Sequence, residues 1–145
     1  MRPLAFFNAI MLTNLEHLGL AVQDLEAATT LYTTLLGQEP YKREHVASES
    51  VDTVFFQVGG SKIELLAGTS PDSAITRYLE KKPEGIHHVA FEVDDIRAEM
   101  VRLRQEGFTL LNEEPKRGAD NKLVCFVHPK SAGGVLVELC QSIKD

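Results

Sequence analysis

Two histidines and two glutamates recur at matching places in the two halves of the chain. His17 and His88 lie in the similar stretches LEHLGLAVQD and IHHVAFEVDD, and Glu64 and Glu138 lie in KIELL and LVELC. Imidazole nitrogens and carboxylate oxygens together suit a divalent metal ion such as Co²⁺, Zn²⁺, Mn²⁺ or Ni²⁺. A mixed nitrogen and oxygen set does not select one ion among these. We therefore predict a metal site with His17, Glu64, His88 and Glu138 as ligands, and the ion is left open.

Each of these residues alone would be weak evidence. A single strand histidine is usually a hydrogen-bonded core residue, and a single strand glutamate usually faces water. Here both residue types recur at corresponding positions of two repeats, and two buried carboxylates would be costly without a cation. The repetition therefore favours a metal site over four unrelated polar residues.

Alternation of side chains predicts that both histidines lie on strands. In residues 18–22 the large apolar side chains share one face, which leaves His17 on the other. The same alternation in residues 88–93 matches His88 with His17. His87 falls on the opposite face, where we expect a structural or exposed residue. The glutamates also point away from their large apolar neighbours, so all four predicted ligands share one face.

A helix is expected directly after each histidine strand. Asp24 and Asp95 are suitable N-cap residues, and each is followed by a helical stripe of apolar residues. Gly37 and Gly107 are expected to end these helices. The two apolar stripes would cover the face of the sheet opposite the predicted ligands.

The whole pattern predicts an α+β fold of two βαβββ repeats. Repeat one covers about 14–68, a helical linker covers 69–84, and repeat two covers about 85–141. We expect a single domain over 1–145, with 1–12 as a loose N-terminal extension. If the halves pack with pseudo-twofold symmetry, the four polar residues converge on one cavity.

The composition limits the class of protein. Hydrophobic residues make up 43% and charged residues 25% of 145 residues, as in a globular chain. The net charge of −6 argues against nucleic acid or an anionic membrane as the main partner. Residues 1–11 contain an apolar run too short to span a membrane and without a small-residue cleavage site, so we expect a cytoplasmic protein. Cys125 and Cys140 show no zinc-type spacing and are expected to be buried thiols.

A cluster of basic residues interrupts this acidic chain. It consists of Lys116, Arg117 and Lys122, with Lys130 following. Such a cluster is either a solvated loop or a site for a small anionic ligand. The sequence pattern alone leaves both interpretations open.

The repeated unit with His and Glu at these places resembles the vicinal-oxygen-chelate superfamily, which includes glyoxalase I and the extradiol dioxygenases. The chain resembles in particular the methylmalonyl-CoA epimerase family within it. The similar segments run through residues 14 to 141, and they include SPDSAITRYLEKKPEGIHHVAFEVDDI, LLNEEPKRGADN and HPKSAGGVLVEL. The pairing of EPKRGA with the last of these segments is specific to the epimerases, whereas the His/Glu set fits several members of the superfamily.

The resemblance implies a fold and an activity. The fold is an open, cupped mixed sheet with helices on its outer face. The activity is interconversion of the 2R and 2S forms of an acyl-CoA substrate, methylmalonyl-CoA, through a metal-chelated enolate formed by proton abstraction at C2. The four matched residues would be the metal ligands, Lys116 and Lys130 would bind the substrate, and the enzyme would be a homodimer.

The resemblance also assigns catalytic bases, and one of them departs from the family pattern. Glu138 matches a residue that is both ligand and base. The other family base is a glutamate at the position where this chain has Thr53, and threonine is a poor general base. Glu64 is the pseudo-symmetric mate of Glu138 and is our first choice as the second base. Water, Glu49 and Asp52 remain alternatives.

Two other reactions are compatible with the same scaffold. A glyoxalase I-type lyase would use a similar metal set, and an extradiol-type dioxygenase would use iron held by two histidines and one glutamate. A fourth ligand at Glu64 argues against the dioxygenase. The EPKRGADN segment favours the epimerase over the lyase.

Overall fold

The structure is a computed structural model that describes residues 12–144. Three α-helices occur in this part of the chain: α1 (Leu25–Leu36), α2 (Ala74–Lys81) and α3 (Ile96–Gln105). Its strands are β1 (Leu12–Ala21), β2 (Lys42–Val46), β3 (Val51–Val58), β4 (Ser61–Gly68), β5 (Gly85–Val93), β6 (Lys116–Arg117), β7 (Lys122–Val127) and β8 (Val137–Ser142).

The eight strands form one open, curled sheet in the order β2-β3-β4-β1-β5-β8-β7-β6. The first strands of the two repeats, β1 and β5, pair antiparallel at its centre. Each of them pairs on its other side, in parallel, with the last strand of its own repeat, β4 or β8. The pairing is therefore pseudo-symmetric about the centre of the sheet, and the predicted fold of two βαβββ units is confirmed.

Helices α1 and α3 cover the convex face of the sheet. Apolar residues of α1 pack against a cluster that includes Leu20, Phe56 and Leu65. Met100 and Leu103 of α3 pack in a second cluster that is formed with strands of repeat two. Burial of such clusters is the main favourable contribution to folding. The concave face is thereby left free to hold polar residues.

Helix α2, which lies in the predicted linker, packs on the concave side. Its Ile75 joins a cluster with Ala21, Val51 and Leu66. Ser73 caps this helix by accepting a hydrogen bond from the backbone N–H of Ile75. The linker helix therefore closes one end of the concave face.

Local signals in the sequence set the starts of the two outer helices. The side chain of Asp24 accepts a hydrogen bond from the N–H of Ala27 at 3.0 Å. The side chain of Asp95 accepts one from the N–H of Ala98 at 3.1 Å. Both predicted N-caps are confirmed, and each fixes the direction in which the chain leaves its histidine strand.

Three further predictions concern the chain as a whole. The predicted loose extension over residues 1–12 lies outside the described residues except for Leu12, which begins β1. Cys125 and Cys140 are both free and buried, as expected. Within residues 12–144, no helix is long and apolar enough to cross a membrane.

Candidate active site

The two predicted histidine ligands face each other across the central strand pair. In the β1–β5 register, His17 lies opposite Ala90 and His88 lies opposite Gly19. The pairs are related by the pseudo-twofold symmetry, so both rings project from the concave face toward the same point. A Cβ atom on Gly19 would lie 2.2 Å from Cε1 of His88, so only glycine leaves room for this ring.

The two predicted glutamate ligands are added by the flanking parallel strands. β4 places Glu64 beside Gly19, and β8 places Glu138 beside Ala90. Because neighbouring strands lie about 5 Å apart, each carboxylate can reach the histidines. The four residues are 4% to 6% exposed, so they form a buried polar cluster at the centre of the sheet.

In three of the four residues, the atoms that could bind a metal ion lie close together. Nε2 of His17 lies 3.0 Å from Nε2 of His88. The carboxylate of Glu138 lies 3.3 Å from Nε2 of His88 and 3.8 Å from Nε2 of His17. These atoms form a group within reach of a single metal ion. The structure thus brings His17, His88 and Glu138 together.

Glu64 approaches His17 from the other side of its ring. Its Oε2 lies 2.9 Å from Nδ1 of His17, and it belongs to a second group of possible metal-binding residues with Glu16 and His17. A carboxylate at Nδ1 orients an imidazole that binds through Nε2. Glu64 therefore contacts His17 on the Nδ1 side of the ring, whereas His88 and Glu138 lie on the Nε2 side.

The electrostatics of the cluster suit a cation. Burial alone would lower the pKa of His17, but hydrogen bonds with Glu16 and Glu64 raise it to about 10. Burial alone would raise the pKa of Glu138, but the hydrogen bond with His88 and the nearby charges lower it. Glu64 and Glu138 thus bring two buried negative charges to the imidazoles of His17 and His88. A divalent cation would offset that charge, and the nitrogen and oxygen donors fit such an ion.

Two β-bulges place an additional residue beside each histidine. Glu16 is the extra residue between Leu15 and His17 in the pairing with β5, and His87 is the extra residue at the symmetric place in β5. The Glu16 carboxylate lies 3.4 Å from Nδ1 of His17, and the rings of His87 and His88 approach to 2.9 Å between their Nδ1 atoms. Bulges recur near active sites because they redirect side chains in this way.

The bulge at His87 corrects one prediction. We expected His87 to be structural or exposed on the far face, but it lines the cavity in front of the cluster. Burial and the neighbouring His88 lower the pKa of His87 to about 4. Its imidazole is therefore neutral near pH 7 and adds no positive charge to the cavity wall.

A cavity of about 350 Å³ opens in front of the polar cluster. Its polar lining includes the four predicted ligands together with Glu49, Thr53, His87, Asn112, Lys116 and Lys122, and its apolar lining includes Ile75, Leu111 and Phe126. The volume suits a small ligand or the reacting end of a larger one. The concave face is therefore a recess with the polar cluster at its base.

The basic residues predicted to bind substrate lie in different places. Lys116 lines the cavity, where its Nζ pairs with Glu49 of repeat one at 2.6 Å. Lys130 is exposed on a 3-10 turn, Pro129–Ala132, and does not line the cavity. Lys122 lines the cavity and is buried beside Ser142, 2.7 Å from its hydroxyl. Of the two predicted substrate-binding lysines, the structure thus brings only Lys116 to the recess.

The structure separates the alternatives for a second base. Thr53 is 1% exposed and faces the cavity. Asp52 points elsewhere and pairs with His45 at 2.7 Å. The carboxylates of Glu64 and Glu49 line the cavity in addition to that of Glu138. A base in this cavity would therefore come from Glu64 or Glu49 rather than from Asp52.

Known proteins of one family are similar to this chain. The family model described as Glyoxalase/Bleomycin resistance protein/Dioxygenase superfamily matches residues 16–126. The mitochondrial methylmalonyl-CoA epimerase of Homo sapiens is 42% identical over 132 residues, which cover 90% of this chain and 75% of that protein. The ethylmalonyl-CoA/methylmalonyl-CoA epimerase of Cereibacter sphaeroides is 43% identical over 133 residues, which cover 90% of this chain and 99% of that protein. The chain belongs to the methylmalonyl-CoA epimerase family of this superfamily.

A solved member of the epimerase family shares the fold. A variant of the Streptomyces coelicolor methylmalonyl-CoA epimerase, in complex with 2-nitronate-propionyl-CoA, superimposes with a TM-score of 0.88 at 34% sequence identity. The match covers 92% of this chain and 99% of that chain. The curled eight-stranded sheet is thus the fold of the epimerase family.

Glu16 and His87 are residues of the site that the sequence pattern did not predict. Both directly precede a predicted ligand, and both would face away from it in a regular strand. The one available signal was their matching place in the two repeats. That signal does not reveal a bulge, because a bulge depends on how the neighbouring strand pairs.

Proposed function

We propose that this protein is a metal-dependent epimerase that interconverts (2R)- and (2S)-methylmalonyl-CoA. The observation that carries the proposal is the convergence of His17, His88 and Glu138, with Glu64 beside them, at the base of the cavity. Two relatives that are named as methylmalonyl-CoA epimerases match this chain over 90% of its length. The lyase and dioxygenase alternatives are not favoured by these relatives.

The reaction requires a proton to leave C2 and to return on the opposite face. This proton is weakly acidic because C2 lies next to both a thioester and a carboxylate. When bound, a divalent ion supplies positive charge that stabilises the enolate oxygen. His17, His88, Glu64 and Glu138 would hold that ion, with Co²⁺, Zn²⁺, Mn²⁺ and Ni²⁺ as candidates.

Two carboxylates are proposed to move the proton. Glu138 would act on one face of the planar enolate, and Glu64 on the other. Glu64 is supported by its pseudo-symmetric position and by its place in the cavity lining. Glu49 also lines the cavity but is engaged by Lys116, so it is the second choice.

Lys116 and Lys130 are proposed to bind the anionic parts of the substrate. Lys116 lies in the cavity wall and suits the free carboxylate of the methylmalonyl group. Lys130 lies outside the cavity, where the phosphates of coenzyme A would extend into solvent. The Streptomyces coelicolor relative holds a nitronate of propionyl-CoA, and a nitronate is a planar anion like the proposed enolate.

Assembly and location complete the proposal. We propose a homodimer, since edge strands β2 and β6 present backbone groups that can pair with a second chain. We also propose that the enzyme acts in the cytoplasm. Sedimentation of the purified protein would test the dimer, because a monomer at micromolar concentration would contradict it.

Proton NMR of (2S)-methylmalonyl-CoA in deuterated water tests the reaction. The enzyme would be treated with EDTA, dialysed, and measured before and after Co²⁺ is restored. We expect metal-dependent loss of the C2 proton signal together with formation of the 2R form. A C2 proton no more labile than in buffer, with Co²⁺ bound, would reject this substrate. Exchange at full rate after EDTA treatment would reject the metal.

A further inference from the structure

We infer that Glu16 is a positioning residue of the metal centre, which accepts the Nδ1–H of His17 and so directs Nε2 of that ring toward the ion. The inference rests on the metal site of the proposed function. It adds a residue that lies outside the predicted ligand set and that the bulge in β1 places beside His17.

Glu16 is held rigidly beside His17. It is 4% exposed, and its Oε1 lies 3.4 Å from Nδ1 of His17. The same oxygen accepts a hydrogen bond from Nζ of Lys62 at 3.0 Å, and Oε2 lies 3.9 Å from Nζ of Lys122. Two lysines therefore hold the carboxylate beside Nδ1 of His17, where it can accept a hydrogen bond from the ring.

Glu16 and Glu64 both reach Nδ1 of His17, but they differ in what else they can do. Glu64 lines the cavity, so its carboxylate borders the space that an ion or a substrate would occupy. Glu16 is outside the lining of that cavity and is bound to Lys62. When Glu64 leaves Nδ1 to act in the cavity, Glu16 is the carboxylate that remains to hold His17. Glu64 thus serves as ligand or base, and Glu16 orients the His17 ring.

A series of hydrogen bonds leads from Glu16 to the far edge of the sheet. Nζ of Lys62 also binds Asp120 at 2.7 Å, and Asp120 lies in the turn between β6 and β7. Asp120 in turn accepts hydrogen bonds from Tyr41 and Lys42. Lys42 begins β2, the strand at the opposite edge of the sheet, and Tyr41 directly precedes it. The orientation of His17 is thereby tied to the contact that joins the two edges of the curled sheet.

Co²⁺ affinity measured on the full chain tests the inference without any substrate. Wild type and Glu16→Gln would be titrated with Co²⁺ against a competing chelator, and the visible spectrum of bound Co²⁺ would be recorded. We expect Glu16→Gln to bind Co²⁺ about 10- to 100-fold more weakly, the usual effect of removing a carboxylate behind a histidine ligand. We also expect a changed Co²⁺ spectrum, because the His17 ring is no longer fixed.

Glu92→Gln is the matched control. Glu92 contacts the same Lys122, at 3.4 Å, and the structure gives it no contact with His17. Its Co²⁺ affinity should equal that of wild type. If Glu16→Gln fails to fold, Lys62→Met replaces it as the test variant. Lys62→Met keeps the Glu16 carboxylate but removes the lysine that holds this carboxylate in place.

The outcomes separate this inference from the proposed function. Wild-type Co²⁺ affinity and spectrum in Glu16→Gln would overturn the role of Glu16 and leave the metal site in place. No Co²⁺ binding by wild type would overturn the metal site and this inference with it. An equal loss of affinity in Glu92→Gln would assign the effect to general disturbance of the lysines and would also overturn the inference.

Discussion

Gly19 and His88 face each other on paired strands, and a methyl group on Gly19 would lie 2.2 Å from Cε1 of the His88 ring. That distance is far below a van der Waals contact, so Gly19→Ala must displace the imidazole. We expect Gly19→Ala to lower Co²⁺ affinity by about tenfold or more, as expected when a histidine ligand loses its orientation. Isothermal titration with Co²⁺ measures this directly.

Gly60→Ala provides the control for this substitution. The nearest atom to a Cβ on Gly60 is Oδ1 of Asn14 at 4.0 Å, so the added methyl group has room. Gly60→Ala should bind Co²⁺ like wild type. Unchanged affinity in Gly19→Ala would show that His88 is not required where the structure places it.

Substitution of either proposed base is expected to impair proton exchange at C2 on one face of the substrate only. Glu138→Gln and Glu64→Gln should each slow inversion at C2 by about 10²- to 10⁴-fold, the usual contribution of a general base. Each variant should still exchange the C2 proton of one epimer, because the base on that face remains. Proton NMR with each pure epimer in deuterated water, with Co²⁺ occupancy verified, separates the two faces.

Asp52→Asn is the control for the base variants. Asp52 is a carboxylate in the neighbouring strand but pairs with His45 outside the cavity. Its removal should leave inversion within about twofold of wild type. Full inversion by Glu64→Gln would remove Glu64 as the second base, and Glu49→Gln would be the next variant to measure.

The ion pair between Lys116 and Glu49 predicts opposite effects on substrate affinity. Lys116→Met should raise KM by about tenfold or more, because hydrogen bonds to charged groups are worth ~1.5–3 kcal/mol. Glu49→Gln should lower KM by about two- to fivefold, since a partly exposed pair worth ~0.2–1 kcal/mol no longer competes with the substrate. Steady-state kinetics with methylmalonyl-CoA would measure both.

The kcat values of Lys116→Met and Glu49→Gln distinguish a role in substrate binding from a role in catalysis. Both variants should retain kcat if the lysine and its partner act only in binding. A lower kcat with unchanged KM in Lys116→Met would contradict the binding role. Loss of kcat in Glu49→Gln would instead favour Glu49 as the second base.

We expect Asp120 to make a pH-dependent contribution to the stability of the fold. It accepts hydrogen bonds from Lys62, Lys42 and Tyr41. Burial alone would raise the pKa of Asp120, but the two lysines lower it below its ordinary value of 3.8. The stabilisation is therefore present above about pH 4 and is lost as pH falls through the lowered pKa.

Asp120→Asn isolates this charge. Asp120 has a φ of 57°, a left-handed conformation that asparagine also adopts readily. We expect the variant to lose about 1.5–3 kcal/mol of unfolding free energy at pH 7. The difference from wild type should shrink below about pH 4. Urea unfolding at several pH values measures it.

Asp72→Asn serves as the comparison for Asp120→Asn. Asp72 forms an exposed pair with Arg77 at 3.4 Å, so its removal should cost less than about 0.5 kcal/mol. A difference between wild type and Asp120→Asn that persists unchanged at pH 3 would show that packing, rather than charge, produces it.

Much of the fold was predictable because its signals are local. Alternation placed His17 and His88 on equivalent strands, and Asp24 and Asp95 each mark a helix start that the structure contains. A repeated pattern adds information that a single motif lacks, because it also predicts which residues share a face. The sequence by itself thus determined two βαβββ units and a polar set on their common face.

The tertiary structure decided how the polar residues of that face are arranged. Alternation assumes an unbroken ladder, whereas a bulge inserts one residue where the partner strand has none. That insertion turned Glu16 and His87 toward the site, and it is fixed by the β1–β5 register. The same limit applies to Glu64, because its rotation toward Nδ1 of His17 depends on side chains from a neighbouring strand.

Contacts across the recess were also beyond sequence analysis. The Glu49–Lys116 pair and the Asp120–Lys62 pair join residues 67 and 58 positions apart, from different repeats. Local patterns state which face a residue occupies, but only the curl of the sheet brings its two edges close together. The sequence therefore determined which polar residues share the concave face and the order of elements, and the three-dimensional curvature decided which charges meet around the cavity.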